Sequence, residues 1–287
     1  MNHYPSNVKE KLNSIILSMA EHHWLFSKNP GHDFTRQHLG KLSFYDTMRL
    51  IISMGKGRTN DEIMDYFDLD PDLIPSQSAF CQRRRQISLS AFEYLFSEFS
   101  SSFPSTTDKF KDHCILACDG CHVVYATNSD IIEDYNKPRL IDYKGYNHMH
   151  LNGFVDVISK AFLDVVIQPR QQPDEREALH SMLDHFTPDD PQKYIITADR
   201  GYESYDLLFH CELKNLGYVF RVKSPSSPKS ILSYYASELP DDLEEFDVTI
   251  KRFFTDKATN IMKSQSDVYR YINPSKNTPH FYELLRK

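Results

Sequence analysis

The sequence predicts a mixed α/β domain placed between an all-helical region and the start of a β-rich region. Up to about residue 108 the apolar residues recur at helical spacing. From Cys114 the chain turns to β-formers interleaved with helical stretches, and after Lys223 a Ser/Pro run precedes a further segment.

Val8, Leu12, Ile15, Ile16 and Met19 fall on one helical face, and Phe44, Met48 and Ile51 repeat the pattern. Thr59 followed by Glu62 reads as a capping box that opens a short helix through Phe67. Pro75-Ser76 starts another helix, to Ile87, that carries Arg83, Arg84 and Arg85; Phe92, Leu95, Phe96, Phe99 and Phe103 mark a closing one. Strands are expected at Cys114–Ala126, Leu151–Ile158 and Ala161–Gln168, followed by a helix that Asp174 caps and that buries Leu179, Met182, Leu183 and Phe186. A strand at Tyr194–Ala198, a helix at Ser204–Leu216 stopped by Gly217, and a strand at Tyr218–Lys223 complete the order β-β-β-α-β-α-β. Ser224–Ser230 reads as a linker and Phe246–Phe254 as the first β segment of the last region. The expected domains are therefore 1–108, 109–224 and 225–287.

With 287 residues and 40% hydrophobic content, the chain can build a sizeable core. No apolar run approaches the roughly 18 residues of a membrane span, and the start lacks a basic region followed by an apolar one, so a cytoplasmic location is expected. Five cysteines, three of them between Cys114 and Cys121, read as reduced thiols. The net charge of −7 runs against the basic surplus usual in nucleic-acid binders. It is uneven, however: residues 114–223 hold 11 Lys+Arg against 17 Asp+Glu, and the flanks are near neutral. An acidic middle suits either a divalent-cation site or a solvated surface.

Two aspartates carry the chemical reading. Asp119 interrupts the apolar strand that starts at Cys114; a buried carboxylate there needs a cation, a basic partner or a water-filled cleft. Asp199 ends the strand Tyr194–Ala198, where open α/β sheets place ligand crevices. On neighbouring strands the two would form half of a two-metal site; alternatively each caps a helix or closes a turn.

Asp119-Gly120 and Ala198-Asp199-Arg200-Gly201-Tyr202-Glu203-Ser204 resemble the first two catalytic motifs of DDE transposases, in particular the insertion-sequence-four type, over residues 35–223. The resemblance implies an RNase H-like domain behind a helical DNA-binding region. It further implies catalytic and metal-binding roles for Asp119 and Asp199, Mg²⁺ or Mn²⁺ as a two-ion cofactor, and metal-dependent cleavage and joining of DNA strands. Double-stranded DNA, as transposon ends and target, is the implied partner. A homodimer on that DNA and a nucleoid-associated, cytoplasmic location are implied too, with Arg200 as an added DNA contact. Cys121 stands where the family often has Ser or Thr. The family's third acid belongs to a Tyr-x-x-Arg-x-x-x-Glu-x-x-x-x-x-x-Lys signature, which no stretch up to Lys287 matches; Tyr282, Glu283, Arg286 and Lys287 have the wrong spacing. The expectation is a chain truncated before its third acid, with reduced or no activity alone, or else a DNA-binding remnant that occupies transposon ends.

The helix at Ser76–Ile87, behind the one at Thr59–Phe67, is the candidate DNA reader in a helix-turn-helix. Three consecutive arginines cover about 200° of its surface, so at least one faces solvent. Lys56 and Arg58 add candidate phosphate contacts, the alternative for all five being a solvated, ion-paired face. Cys114-x3-Cys118-x2-Cys121 has the cysteine spacing of iron–sulfur enzymes that cleave S-adenosylmethionine, but on a strand the first two lie about 13 Å apart, too far for one cluster. His148-Met149-His150 lacks a third ligand at metal spacing and reads as surface or packing.

Overall fold

A computed structural model of the protein describes residues 4–35, 42–102, 109–137, 145–227 and shorter runs within 230–271. It separates into two compact units, Met1–Pro104 and Ser105–Lys287.

The first unit is helical: α1 (Tyr4–Glu21), α2 (Phe44–Ser53), α3 (Thr59–Tyr66), α4 (Gln77–Gln86) and α5 (Leu89–Ser101). Ile16, Met19, Phe34, Phe44, Met48 and Ala91 form one buried cluster, while Leu50, Ile63 and Phe80 join α2, α3 and α4 in a second. The capping box sits at Ser43, whose hydroxyl accepts from Asp46 N while the Asp46 carboxylate accepts from Ser43 N. The one expected at Thr59 is absent. Arg58 is the N-cap of α3 and makes no side-chain cap; the Glu62 carboxylate instead accepts from Gly55 N (2.9 Å) and Gly57 N (2.7 Å), which also holds it below the usual carboxylate range. Ser76 does cap α4, accepting from Ala79 N. α3 and α4 are joined by residues 67–76, with Asp68 and Leu69 at positive φ, a longer link than the three- or four-residue turn of a helix-turn-helix.

The second unit holds β1 (Cys114–Tyr125), β2 (Tyr135–Asn136), β3 (Tyr146–Asp156), β4 (Phe162–Pro169), α6 (Glu175–His185), β5 (Tyr194–Ala198), α7 (Tyr205–Leu213) and β6 (Gly217–Phe220). Farther on, β7 (Phe253–Thr255) pairs with β8 (Tyr269–Tyr271) next to α8 (Asn260–Ser264). The main sheet runs β2-β3-β1-β5-β6, with β4 on β3. β3 is antiparallel to β1, whereas β5 and β6 are parallel to it, which is the mixed sheet expected of an RNase H-like domain. β3 starts earlier than its hydrophobic pattern indicates, because the extended end of β1 gives it partners as far as Tyr125↔Asn147. α7 ends at Leu213 and the chain reverses at Asn215 (φ 54°), so Gly217 is the first residue of β6 rather than a helix stop. Phe103, Phe246, Tyr282, Glu283, Arg286 and Lys287 lie outside the described residues. Among the described residues no helix is long and apolar enough to cross a membrane.

Leu116, Cys118, Phe154, Leu179, Met182, Leu183, Ile196 and Leu207 form the core between the sheet and helices α6 and α7. The two helices also share a polar seam. His180 Nδ1 lies 2.8 Å from His210 Nδ1, so one ring donates to the other, while Asp206 holds His180 Nε2 and Asp184 Oδ1 lies 3.1 Å from His210 Nε2. Every ring nitrogen of the pair therefore has a partner, which keeps two imidazoles tolerable inside the packing.

Truncating Phe154, fully buried under α6, to Ala should lower unfolding free energy by about 3–5 kcal/mol in urea titration. Val219→Ala, at an exposed strand position, should change it by no more than about 0.5 kcal/mol. Similar losses at both positions would contradict the assigned core.

Candidate active site

Along β1, Cys114, Leu116 and Cys118 turn inward, and strand alternation sends Asp119 to the other side. Asp119 does not end the strand. β1 continues to Tyr125 on β3, with Asp119 opposite Gly153, but its parallel pairing with β5 stops at Cys118↔Ala198. Asp119 and Asp199 each follow that last pair, so they stand at one level at the ends of the paired stretches of adjacent strands. The opening where β5 leaves β1 is the kind of crevice in which α/β sheets bind ligands.

Both carboxylates are exposed, which corrects the expectation that Asp119 is buried and resolves it in favour of a water-accessible cleft. Asp119 Oδ1 accepts from Gly120 N (2.9 Å) and Asp199 Oδ1 from Gly201 N (2.6 Å). Among the described residues neither Oδ2 takes a hydrogen bond, leaving one open oxygen on each.

A third carboxylate, Glu175, faces the same opening from the first turn of α6. Its Oε2 and Asp199 Oδ1 each lie 3.0 Å from the point a Cβ on Gly201 would occupy, so the two oxygens are at most 6.0 Å apart (3.0 + 3.0). Its Oε1 lies 2.8 Å from the equivalent point on Gly120, which is also 2.6 Å from His150 Nε2. Gly120 and Gly201 therefore line a gap that a methyl group would fill. Two ties hold α6 there: Arg176 Nε donates to Gly201 O (3.2 Å), and the Gln168 side chain bonds Asp174 at both N and O (3.0 Å each). The sequence marks Asp174 as a cap, which the structure bears out with bonds to Arg176 N and Glu177 N, but gives no such mark to its neighbour Glu175. Nothing in the local pattern distinguishes Glu175 from an ordinary first-turn acid.

The second motif is anchored from beneath. Glu203 is buried and pairs with Lys223, whose Nζ lies 3.2 Å from Oε1 and whose backbone N donates to Oε2 at 2.7 Å. Lys223 Nζ also donates to Arg200 O (2.8 Å), fixing the turn that carries Asp199 while the Arg200 side chain is exposed. Tyr202 is buried against Cys118, and burial pushes the Cys118 thiol up to about 12, so it stays protonated and is not a nucleophile. The straight run of β1 carries Cys114 and Cys118 into the core and leaves Cys121 exposed, the arrangement expected if the three share no cluster.

Among the described residues no group of three or more His, Cys, Asp or Glu side chains is placed to hold a metal ion. The donor chemistry nevertheless fits a hard cation: open carboxylate oxygens face a wet cleft, and Mg²⁺ takes one or two carboxylates, keeping its other positions for water and substrate phosphate. The sheet also adds His122 to the His148/His150 pair, with ring centroids 4.9 and 5.0 Å away. His148 is held below the usual histidine range by burial, and then by the neighbouring His122 and Arg170.

In the helical unit the basic residues divide. Arg83 is half-buried, stacked over Phe34 at 5.1 Å and bonded to Gln86, whereas Arg84 and Arg85 are exposed. Lys56 and Arg58 are exposed on either side of Gly57, in the segment whose N–H groups Glu62 holds.

Compared with known families, residues 110–282 match the model described as the transposase DDE domain. No curated protein matches the chain.

Replacing Lys223 by Ala would leave the Glu203 carboxylate buried with only its backbone donor. The expected loss is on the order of 2–3 kcal/mol of stability by urea unfolding, less than for a fully orphaned buried charge. An unchanged midpoint would show that the pair does not hold the motif.

Proposed function

The chain belongs to the transposase DDE domain family, and from that premise we propose that it cuts and joins DNA strands in transposition, as an enzyme of the insertion-sequence-four type. The observation that carries this reading is the placement of Asp119 and Asp199 side by side where β1 and β5 part, each with an open Oδ2. Asp119 and Asp199 hold the divalent cation, Mg²⁺ or Mn²⁺, with Glu175 facing them across the cleft. When bound, the cation stabilises charge on the attacking and leaving oxygens of an in-line phosphoryl transfer. Gly120 and Gly201 keep the cleft open enough for a phosphodiester. Lys223 and Glu203 fix the Asp199 turn, and Arg200 projects beside it to take a DNA phosphate.

Duplex DNA, as transposon end and target, lies along the exposed cations of the helical unit, with two copies of the chain on one DNA complex. Lys56, Arg58, Arg84 and Arg85 bind its phosphates. Arg83 is a poorer phosphate ligand than its neighbours because its guanidinium is committed to Phe34 and Gln86.

Mn²⁺ binding, followed by electron paramagnetic resonance, should weaken in Asp119→Asn and Asp199→Asn and less strongly in Glu175→Gln. Equal binding by all four proteins would remove the site. A supercoiled plasmid incubated with the chain and Mn²⁺ should be nicked at most slowly, and the Asp119→Asn change should abolish what nicking there is. Duplex binding without nicking would assign the chain instead to occupancy of transposon ends.

Replacing Arg84 and Arg85 by Ala should lower the slope of log affinity against log salt by about 0.9 for each DNA phosphate that is no longer neutralised, whereas Arg83→Ala should chiefly lower stability. The reverse pattern would move the interface to the other side of α4.

A further inference from the structure

We propose that the pocket at the Tyr125 end of β1 is a subsite for a backbone phosphate of the DNA strand, along the sheet face from the Glu175 side of the cleft. This rests on the DNA-cleaving function proposed above. The pocket has a volume of about 650 Å³ and is lined by His122, Asn136, Tyr146, His148 and Arg170, among others.

The antiparallel register puts His122 opposite His150 and Val124 opposite His148, so the three imidazoles share one face of the sheet. His148 is only 8% exposed, yet its Nδ1 is buried without a hydrogen-bond partner while the ring lines the pocket. A buried polar atom left unpaired is costly, and a ligand oxygen would satisfy it. Tyr146 stacks on the His148 ring (centroids 5.5 Å apart, planes at 26°) and fixes its orientation.

Arg170 supplies the charge. Its Nη2 donates to Asn136 Oδ1 (2.9 Å), and among the described residues no ion pair neutralises it. The nearby carboxylate, Asp134, is occupied by Tyr125 Oη (2.7 Å) and Arg170 N (3.1 Å). An unneutralised guanidinium beside donor imidazoles selects an anion, and the planar fork of Arg suits phosphate.

Position selects the source of that phosphate. Gly120 and His122 point to the same face of β1, and the point a Cβ on Gly120 would occupy lies 2.6 Å from His150 Nε2 and 2.8 Å from Glu175 Oε1, so the pocket continues the Glu175 side of the cleft in which the DNA strand is cut. The intervening contacts are continuous: His150 Nε2 lies 3.4 Å from Glu175 Oε1, and His122 bridges the His150 and His148 rings. The face thus runs from an acidic end that suits a cation to a cationic end that suits a phosphate, the alternation a DNA strand with its metal ions requires.

The test is anisotropy of a fluorescein-labelled duplex of mixed sequence, titrated with the full chain over a range of salt. Arg170→Gln should lower the log–log salt slope by about 0.9, and Arg170→Lys, which keeps the charge, should leave it near the wild-type value. A wild-type slope in Arg170→Gln, or equal losses in Gln and Lys variants, would overturn the subsite. Loss of Mn²⁺ binding in Asp119→Asn would in that case leave the catalytic reading standing. No duplex binding by the wild-type chain would overturn the subsite, and unchanged Mn²⁺ binding in Asp119→Asn would separately overturn the catalytic site.

Discussion

The parallel pairing of β1 with β5, and its end at Cys118↔Ala198, is the constraint on which the rest of this domain depends. Up to that pair, both strands turn one face into the apolar core under α6 and α7. One residue later the ladder stops on the β5 side while β1 continues on β3, so two consecutive positions of the sheet lose their neighbour and meet water. Aspartate at both positions is consistent with the physics: exposure removes the cost of burying charge, and a glycine N–H, one residue beyond Asp119 and two beyond Asp199, occupies one carboxylate oxygen.

The remaining features of the second unit maintain that geometry. α6 is tied through Arg176 to the turn after Asp199 and through Gln168 to β4, and those ties set Glu175 against the opening. The Glu203–Lys223 pair fixes the same turn from the core side. Glycine at 120 and 201 is favoured by space rather than by backbone conformation, since an added Cβ at either would lie 3.0 Å or less from a carboxylate oxygen and would push that side chain aside.

Much of this is legible in the sequence, for identifiable reasons. The change from helical to strand periodicity at Cys114, the Asp174 cap and the apolar strand before Asp199 are local signals, and each element forms where its signal lies. What is not legible depends on chain segments that meet only in three dimensions. His122 and Glu175 carry no local mark; they join the site because β1 pairs with β3 and because α6 returns across the sheet. The Thr59 cap fails because Glu62 finds stronger donors in Gly55 and Gly57 upstream, a competition between local bonds that composition does not reveal. The extent of β1 is legible, expected at Cys114–Ala126 and found at Cys114–Tyr125, but that it loses one of its two neighbours at Asp119 is not.

Whether the opening between β1 and β5 holds a divalent cation decides the catalytic assignment. Anomalous diffraction at the manganese edge from crystals of the chain soaked in Mn²⁺ measures this directly. Manganese density within about 2–2.6 Å of carboxylate oxygens of both Asp119 and Asp199 is the expected result. Manganese bound at the histidines of β1 and β3, with Asp119 and Asp199 facing water alone, would contradict it.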